Sequence, residues 1–493
     1  VRAGLGDVDP NEAMALVVDT DQGAVVVGER FGAARFDAAT AFDAIATIEA
    51  DHAPRWTWWT PDTPTLLAAH GIRPARCWDL DAVHRLVHGG WRSGPLRTWA
   101  ATHELDTERL PTVGPLDLFS AASEHDDGPV RSDGHLDPAW VAAGWRSNQD
   151  RMVLHARLAL EVYRGQQSQL DRLEDRPVAP TTARSESAAA LLAVELGHDG
   201  LPIDRVEAER IIAAFVGPRP RDALDERRLT AERDDRVLVH LPLDLRDGVD
   251  LRNPASVKSL LRRAGIEVAD TRAWRLERLR DEHPIVDALL VWRKAERMAT
   301  TFGYRWIDEH VGDDARLRGS WSSSDGAAGR MTATAGLHNL PADLRSAVAA
   351  EAGHRFVRAD LGQIEPRILA AVSGDSGLAE ATHAADMYAP VAQRLGVSRD
   401  VAKVAVLGAM YGQTTGHGAA ALRGLDAAYP VAMRYLTDAA RSAEAGHDLR
   451  TRGGRLVRMS GDDDPTIDDR ERRSRAAARG RYGRNAMVQG AAA

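Results

Sequence analysis

The stretch Arg358-Ala-Asp360-Leu-Gly-Gln363-Ile-Glu365-Pro-Arg367 constrains this chain more than any other, because an aspartate closes an apolar run and a glutamate follows five residues later. The preceding His354-Arg-Phe-Val-Arg-Ala359 reads as a short strand. Ile364, Ile368, Leu369 and Val372 recur at helical spacing, which predicts a helix over 364–372. Asp360 is therefore expected where a strand hands over to a helix, a place from which a carboxylate can face a cleft. By position alone, an aspartate stabilised by the helix dipole accounts for the same residue without any site.

At 493 residues the chain has room for about two to four domains. Its single cysteine, Cys77, excludes a disulfide framework and a cysteine-based zinc site and predicts a reducing, cytoplasmic setting. No signal peptide or membrane-length apolar run stands out. The formal charge of −9 argues against nucleic acid as a partner only on average. Acidic residues crowd 462–464 and 468–471, while Arg470, Arg472, Arg473, Arg475, Arg479, Arg481 and Arg484 form a basic run. Such segregation permits a local phosphate-binding cleft, and a solvated helix face explains it equally. Lys258, Lys294 and Lys403 are the only lysines among 63 basic residues, a bias typical of a GC-rich bacterial genome.

Strand-like runs at 13–18 and 24–27 and helical runs at 43–49 and 65–70 predict a small α/β domain at the N-terminus, interrupted by a polar stretch at 123–137. Helical spacing then runs through 149–167 and 184–216. Asn253-Pro-Ala-Ser256 is a helix start with Ser256 as candidate cap, and His283-Pro284 opens a helix expected to reach Trp306 or beyond. Residues 319–341 turn to Ser, Gly, Thr and Ala, the texture of a functional loop or a linker. Helix is expected almost throughout from 364 to 444.

Arg399, Lys403, Leu407 and Tyr411 are spaced by four, so on a helix they share one face. Two cations beside an apolar and an aromatic group suit a nucleotide, the cations meeting phosphates and the others packing on sugar and base. An amphipathic helix with a basic edge fits that spacing as well.

Four motifs in order carry a resemblance to a known family. Asp360-x-x-Gln363-Ile364-Glu365-x-Arg367 resembles the first catalytic motif of the family A DNA polymerases, and Arg399-x3-Lys403-x7-Tyr411-Gly412 resembles their fingers helix. Arg481-x3-Asn485-x3-Gln489-Gly490 is similar to their template- and primer-contacting helix. Gly329-Arg330 with Leu337-His-Asn339-Leu-Pro341 is similar to the segment that meets the primer terminus and minor groove.

The resemblance implies a multidomain α+β fold, a right-hand polymerase with thumb, partial palm and fingers preceded by an α/β ribonuclease H-like domain of the 3′-5′ exonuclease type. The expected divisions are 1–165 for a degenerate exonuclease-like domain, 166–318 for a mainly helical thumb and 319–375 for the first part of the palm. Residues 376–475 would form the fingers and 476–493 the return to the palm.

The implied activity is template-directed addition of deoxynucleoside triphosphates to a primer 3′ end, in DNA replication or repair. Two Mg2+ ions, with Mn2+ able to substitute, would be held by Asp360 and the Leu361 carbonyl. Asp360 and Lys403 are the implied catalytic residues, Lys403 also neutralising the leaving pyrophosphate. Gln363, Glu365, Arg399, Lys403, Leu407 and Tyr411 would bind the nucleotide, with Glu365 excluding a ribose 2′-hydroxyl. Arg330, Asn339, Arg481, Asn485 and Gln489 would hold DNA.

Leu407 departs from the family's usual aromatic, and Tyr388 stands at or beside a usual His. The family's His-Asp-Glu palm motif, which carries the second metal-binding aspartate, is expected beyond residue 493. A non-Met start and the 491–493 alanines predict a fragment, itself inactive, of a monomeric, nucleoid-associated bacterial protein.

In the N-terminal region Asp19 and Asp21 approach the Asp-x-Glu with which such exonucleases begin, and Cys77-Trp-Asp79 resembles their second motif. Trp145 is followed by Gln149 where Tyr and Asp are expected four apart, with Asp150 one place late. A degenerate domain kept for folding or DNA contact is the expectation. The rival reading of the whole chain is a non-catalytic primer-template-binding paralogue or, further off, a 3′-5′ exonuclease.

Overall fold

The computed structural model describes residues 12–90, 92–112, 128–324, 328–412, 419–459 and 468–492. The acidic run 462–464 and the first part of the 123–137 stretch lie outside the described residues. The chain divides into two units, one made of 1–198, 321–332 and 358–493 and the other of 199–320 and 333–357.

The first unit opens with five strands: β1 (Ala13–Asp19), β2 (Gly23–Gly28), β3 (Gly32–Phe36), β4 (Arg55–Trp58) and β5 (Cys77–Asp79). Their order is β3-β2-β1-β4-β5. The first three form antiparallel hairpins, while β1, β4 and β5 run parallel. The continuous apolar run of β1 follows from burial on both faces. Met14, Leu16 and Val18 enter a core with Ile45, Ile48 and Leu67, whereas Ala13, Ala15 and Val17 enter one with Met152, Val153 and Leu160 of the helix Gln149–Asp171. Each fully buried aliphatic there contributes about 1.5–3 kcal/mol.

The later part of this unit is helical: Ile364–Ser373, Ser376–Ala381, Tyr388–Leu395, Arg399–Tyr411, Ala419–Ala428, Pro430–Glu444 and Asp469–Ala492. Leu369, Met387, Val391, Val406, Met410, Leu436 and Val488 form their common core. Asp375 caps two helices at once, accepting from Leu378 N through Oδ1 (3.0 Å) and from Val431 N and Ala432 N through Oδ2 (both 3.1 Å). Gly483 lets the last helix close on Pro430–Glu444, since a Cβ there would sit 2.5 Å from Ala443 Cβ.

The second unit is also mainly helical, with Arg205–Val216, Ala223–Leu238, Pro254–Arg263 and Pro284–Thr301 as its longer elements, and Leu201–Pro202 pairs antiparallel with Arg316–Leu317. No helix among the described residues is long and apolar enough to cross a membrane.

Several local expectations change. Residues 354–359 form no strand: Phe356, Val357 and Leu361 are 53%, 94% and 74% exposed, because a strand needs a hydrogen-bonded neighbour and none of the described strands lies beside them. The 184–216 run is two helices, Ala179–Asp199 and Arg205–Val216, parted by Gly200-Leu-Pro202. The cap before Pro254 is Asn253, which accepts from Ala255 N, while the Ser256 hydroxyl accepts from Asp250 N instead. The helix begun by His283, whose Nδ1 accepts from Ile285 N, stops at Thr301, and a separate helix Tyr304–His310 follows.

Candidate active site

Gln363 precedes the helix Ile364–Ser373 in the left-handed conformation (φ 61°), which turns the chain sharply after Asp360. Asp360 and Leu361 are exposed, and the Asp360 side chain has no hydrogen-bond partner among the described residues. One turn into the helix, Glu365 meets residues from two other segments. The Tyr411 hydroxyl donates to its carboxylate at 3.2 and 3.1 Å, and Gln489 Nε2 donates to Glu365 Oε1 at 3.0 Å and to the Tyr411 oxygen at 3.3 Å. Three residues singled out in the sequence, as far as 124 positions apart, thus close one hydrogen-bonded triangle.

The triangle borders a cleft of ≈330 Å³ whose wall includes Arg330, Met331, Glu365, Gln489 and Glu186. Behind it, Glu186 and Arg455 are almost wholly buried and form an ion pair, and Arg455 Nη1 also reaches Ser324 Oγ at 3.4 Å. Gly329 has φ +81° and lies directly against this guanidinium: a Cβ there would be 2.6 Å from Arg455 Nε. Gly329→Ala is expected to cost at least about 1–2 kcal/mol from the left-handed backbone alone, read as a lower denaturant midpoint. An unchanged midpoint would mean that the loop relaxes freely.

The helix Arg399–Tyr411, capped by Ser398, carries the predicted stripe outward: Arg399, Lys403 and Tyr411 are exposed and Leu407 half-buried. Arg399 does not stand free. Its Nε donates to Asp386 Oδ2 at 2.5 Å, which holds the Asp386 carboxyl below its usual range and raises the guanidinium. Tyr388 is buried in the helical core, and burial pushes its hydroxyl pKa up.

Arg481 is exposed, with its stem over Gly412, the left-handed C-cap of the stripe helix. Asn485 is half-buried, its amide nitrogen without a partner among the described residues. Asn339 belongs to the second unit, exposed in a turn closed by Asn339 N to Gly336 O at 3.1 Å. The start of the basic run is a self-paired helix face: Arg472 meets Asp469 and Arg475 meets Glu471, both at 2.7 Å.

Two participants carried no assigned role in the sequence. Arg367 binds the carbonyls of Gly362, Thr382, Ala384 and Ala385, and Asp386 joins Gln363 to Arg399. Their only local signal was membership of the Asp360 motif and proximity to Tyr388.

Three carboxylates in and beside the five-stranded sheet, Asp19, Asp79 and Asp150, hold local structure. Asp19 closes the β1–β2 turn by accepting from Asp21 N and Gln22 N, and Asp150 pairs with Arg35 at 2.7 Å. Gln149 donates to the carbonyls of Gln22 and Phe36. Asp79 is 1% exposed, caps the helix Leu80–His88 through Ala82 N and accepts from Trp58 Nε1 at 3.0 Å. Burial raises its pKa to about 6. Because the folded value exceeds the unfolded one, the native state binds the extra proton. Stability contributed through Asp79 is thus full below about pH 4 and falls as pH rises to about 6. Asp79→Asn should flatten that slope in denaturant titrations at a series of pH values. An unchanged slope would assign it to other groups.

A sequence profile described as DNA polymerase family A matches residues 257–493. DNA polymerase I of Chloroflexus aurantiacus is 31% identical over 247 residues, which cover 44% of this chain and 25% of that one. DNA polymerase I of Deinococcus radiodurans is 30% identical over 159 residues, 28% of this chain and 16% of that one. For thermostable DNA polymerase I of Thermus aquaticus the values are 34% over 115 residues, 22% and 14%. The alignments thus span a quarter or less of these relatives' lengths. Among solved structures, the POL domain of Pol1 from M. smegmatis, in complex with DNA primer-template and dNTP, has a similar fold. Its TM-score is 0.62 at 20% identity, over 99% of this chain and 84% of that one.

Proposed function

We propose that the protein, whose residues 257–493 match the profile of DNA polymerase family A, is a template-directed DNA polymerase, adding deoxynucleoside triphosphates to a primer 3′ end in replication or repair. The observation that carries the reading is the convergence of Glu365, Tyr411 and Gln489, one from each of three family motifs, beside a cleft that Arg330 also lines. Glu365, fixed by two neighbours, is oriented to stand against the sugar, where its carboxylate disfavours a ribose 2′-hydroxyl. Arg399 and Lys403, on one exposed helix face, offer the triphosphate a fork and a point charge. Leu407 and Tyr411 pack toward sugar and base, and Arg330, Asn339, Arg481, Asn485 and Gln489 take the primer-template.

Family A polymerases depend on divalent metal, and two Mg2+ ions, replaceable by Mn2+, are the proposed cofactor. The unpartnered Asp360 carboxylate and the Leu361 carbonyl are hard oxygen donors that suit Mg2+. The described residues gather no group of three or more metal-ligating side chains. Mg2+ is bound through one or two carboxylates together with substrate phosphates and water, and Asp360 would supply one of those carboxylates. When bound, the metal supplies charge stabilisation to the reacting oxygens.

The sheet domain is proposed as a structural or DNA-contacting module rather than a nuclease, since Asp19, Asp79 and Asp150 are engaged in turn, cap and ion pair. The test is extension of a 5′-labelled primer on a longer template by the full-length protein that contains these 493 residues, with Mg2+ and all four deoxynucleotides. Extension is expected. Tight primer-template binding without extension would favour the non-catalytic paralogue.

A further inference from the structure

We propose that Asp386 is a positioning residue of the triphosphate site, gripping Arg399 through Nε so that the outer edge of its guanidinium faces the incoming nucleotide; this rests on the polymerase reading above. An exposed arginine in the first turn of a helix samples many rotamers. Here one rotamer is selected. Asp386 Oδ2 takes Arg399 Nε at 2.5 Å, while Asp386 Oδ1 is itself fixed by Gln363 Nε2 at 2.8 Å and Tyr388 N at 3.2 Å. Gln363 completes the brace by accepting from Met387 N at 2.9 Å. Arg367 bolts the same loop by its three carbonyl contacts at Thr382, Ala384 and Ala385. The Tyr388 ring lies 5.8 Å from the guanidinium carbon and limits its swing.

The grip leaves donors to spare. Arg399 Nη1 makes only a long 3.4 Å contact to Asp400, and Nη2 has no partner among the described residues. A phosphate can therefore bind the Nη edge in the fork geometry that guanidinium favours without displacing Asp386. Gln363, assigned to the nucleotide from sequence, then acts through Asp386 and Arg399. The Asp360 motif and the stripe helix are coupled by one carboxylate, because the turn that exposes Asp360 also supports Arg399.

The experiment measures binding of Mg2+-dATP by equilibrium titration, and KM and kcat for extension, in Asp386→Ala, Asp386→Asn, Arg399→Ala and the Asp386→Ala/Arg399→Ala double variant. Asp386→Ala should weaken triphosphate binding and raise KM by roughly fivefold to tenfold, in the range of coupling between contacting side chains, with kcat little changed. Asp386→Asn keeps an acceptor for Nε and should recover most of the loss. In the Arg399→Ala background Asp386→Ala should add nothing. Tighter binding by Asp386→Ala would make the carboxylate a competitor and overturn the proposal, as would equal effects of Ala and Asn or additive losses in the double variant. Melting curves of the Asn variant separate a folding defect from a binding one. If the wild type binds and extends while the Asp386 variants match it, this inference alone fails. A wild type that neither binds nor extends removes the polymerase reading and this inference with it.

Discussion

Asp360→Ala should abolish primer extension, by at least about 10²–10³-fold, while leaving primer-template affinity and thermal stability close to wild type. The expectation follows from how little the rest of the protein asks of this side chain. It is exposed and without a hydrogen-bond partner among the described residues, so its loss opens no cavity and strands no donor. Surface substitutions of that kind usually change stability by no more than about 0.5 kcal/mol. Removing a negative charge near a phosphate backbone would, if anything, favour DNA binding. A large activity loss with intact fold and affinity therefore isolates a role in chemistry. Binding assays run beside extension assays decide it: a parallel loss of both would assign Asp360 to holding DNA or the turn instead.

The second large effect is on stability. Glu186→Leu or Arg455→Met alone should destabilise the protein by about 3–5 kcal/mol, because each leaves a buried charge without its counter-ion. Glu186 is 6% exposed and Arg455 2%, so water cannot take the partner's place. The double variant should recover much of the loss, since two apolar side chains carry no uncompensated charge. Denaturant midpoints of the two singles and the double form the cycle. A double variant as unstable as the sum of the singles would show that hydrogen bonds to neighbours such as Ser324, rather than the ion pair, hold this region. The single variants should also disturb the cleft, since Glu186 lines it and Gly329 rests on Arg455.

How much of this was legible in the chain differs by the range of the signal. The helix Ile364–Ser373 was predicted from its apolar spacing, and Arg399, Lys403 and Tyr411, whose spacing by four places them on one face of any helix, are exposed on the helix Arg399–Tyr411. β1 and β2 declared themselves through unbroken apolar runs that only burial on both faces tolerates. Local pattern failed where an element depends on a distant partner. The 354–359 segment has the composition of a strand and no described neighbour to pair with. Asn253 and Ser256 are both good caps, and the loop geometry chose the first.

In the site, motif order found Glu365, Tyr411 and Gln489, which do meet. It did not find the Asp386 brace, 23 residues from Gln363 and 13 from Arg399, or the Glu186–Arg455 pair, 269 residues apart. Neither has any periodic signature; each is a contact made by tertiary structure. Asp79 lies in a run that resembles an exonuclease motif, and in the fold its carboxylate caps the helix Leu80–His88 and accepts from Trp58.

The central claim is most directly tested by single-nucleotide incorporation with the full-length protein that contains these 493 residues. One 5′-labelled primer is annealed to four templates that differ only in the base opposite the next position, and each deoxynucleotide is offered separately with Mg2+. The account predicts one-nucleotide extension by the complementary deoxynucleotide in each case, with the matching ribonucleotide strongly disfavoured. No incorporation on any template, or addition that ignores the template base, would contradict it.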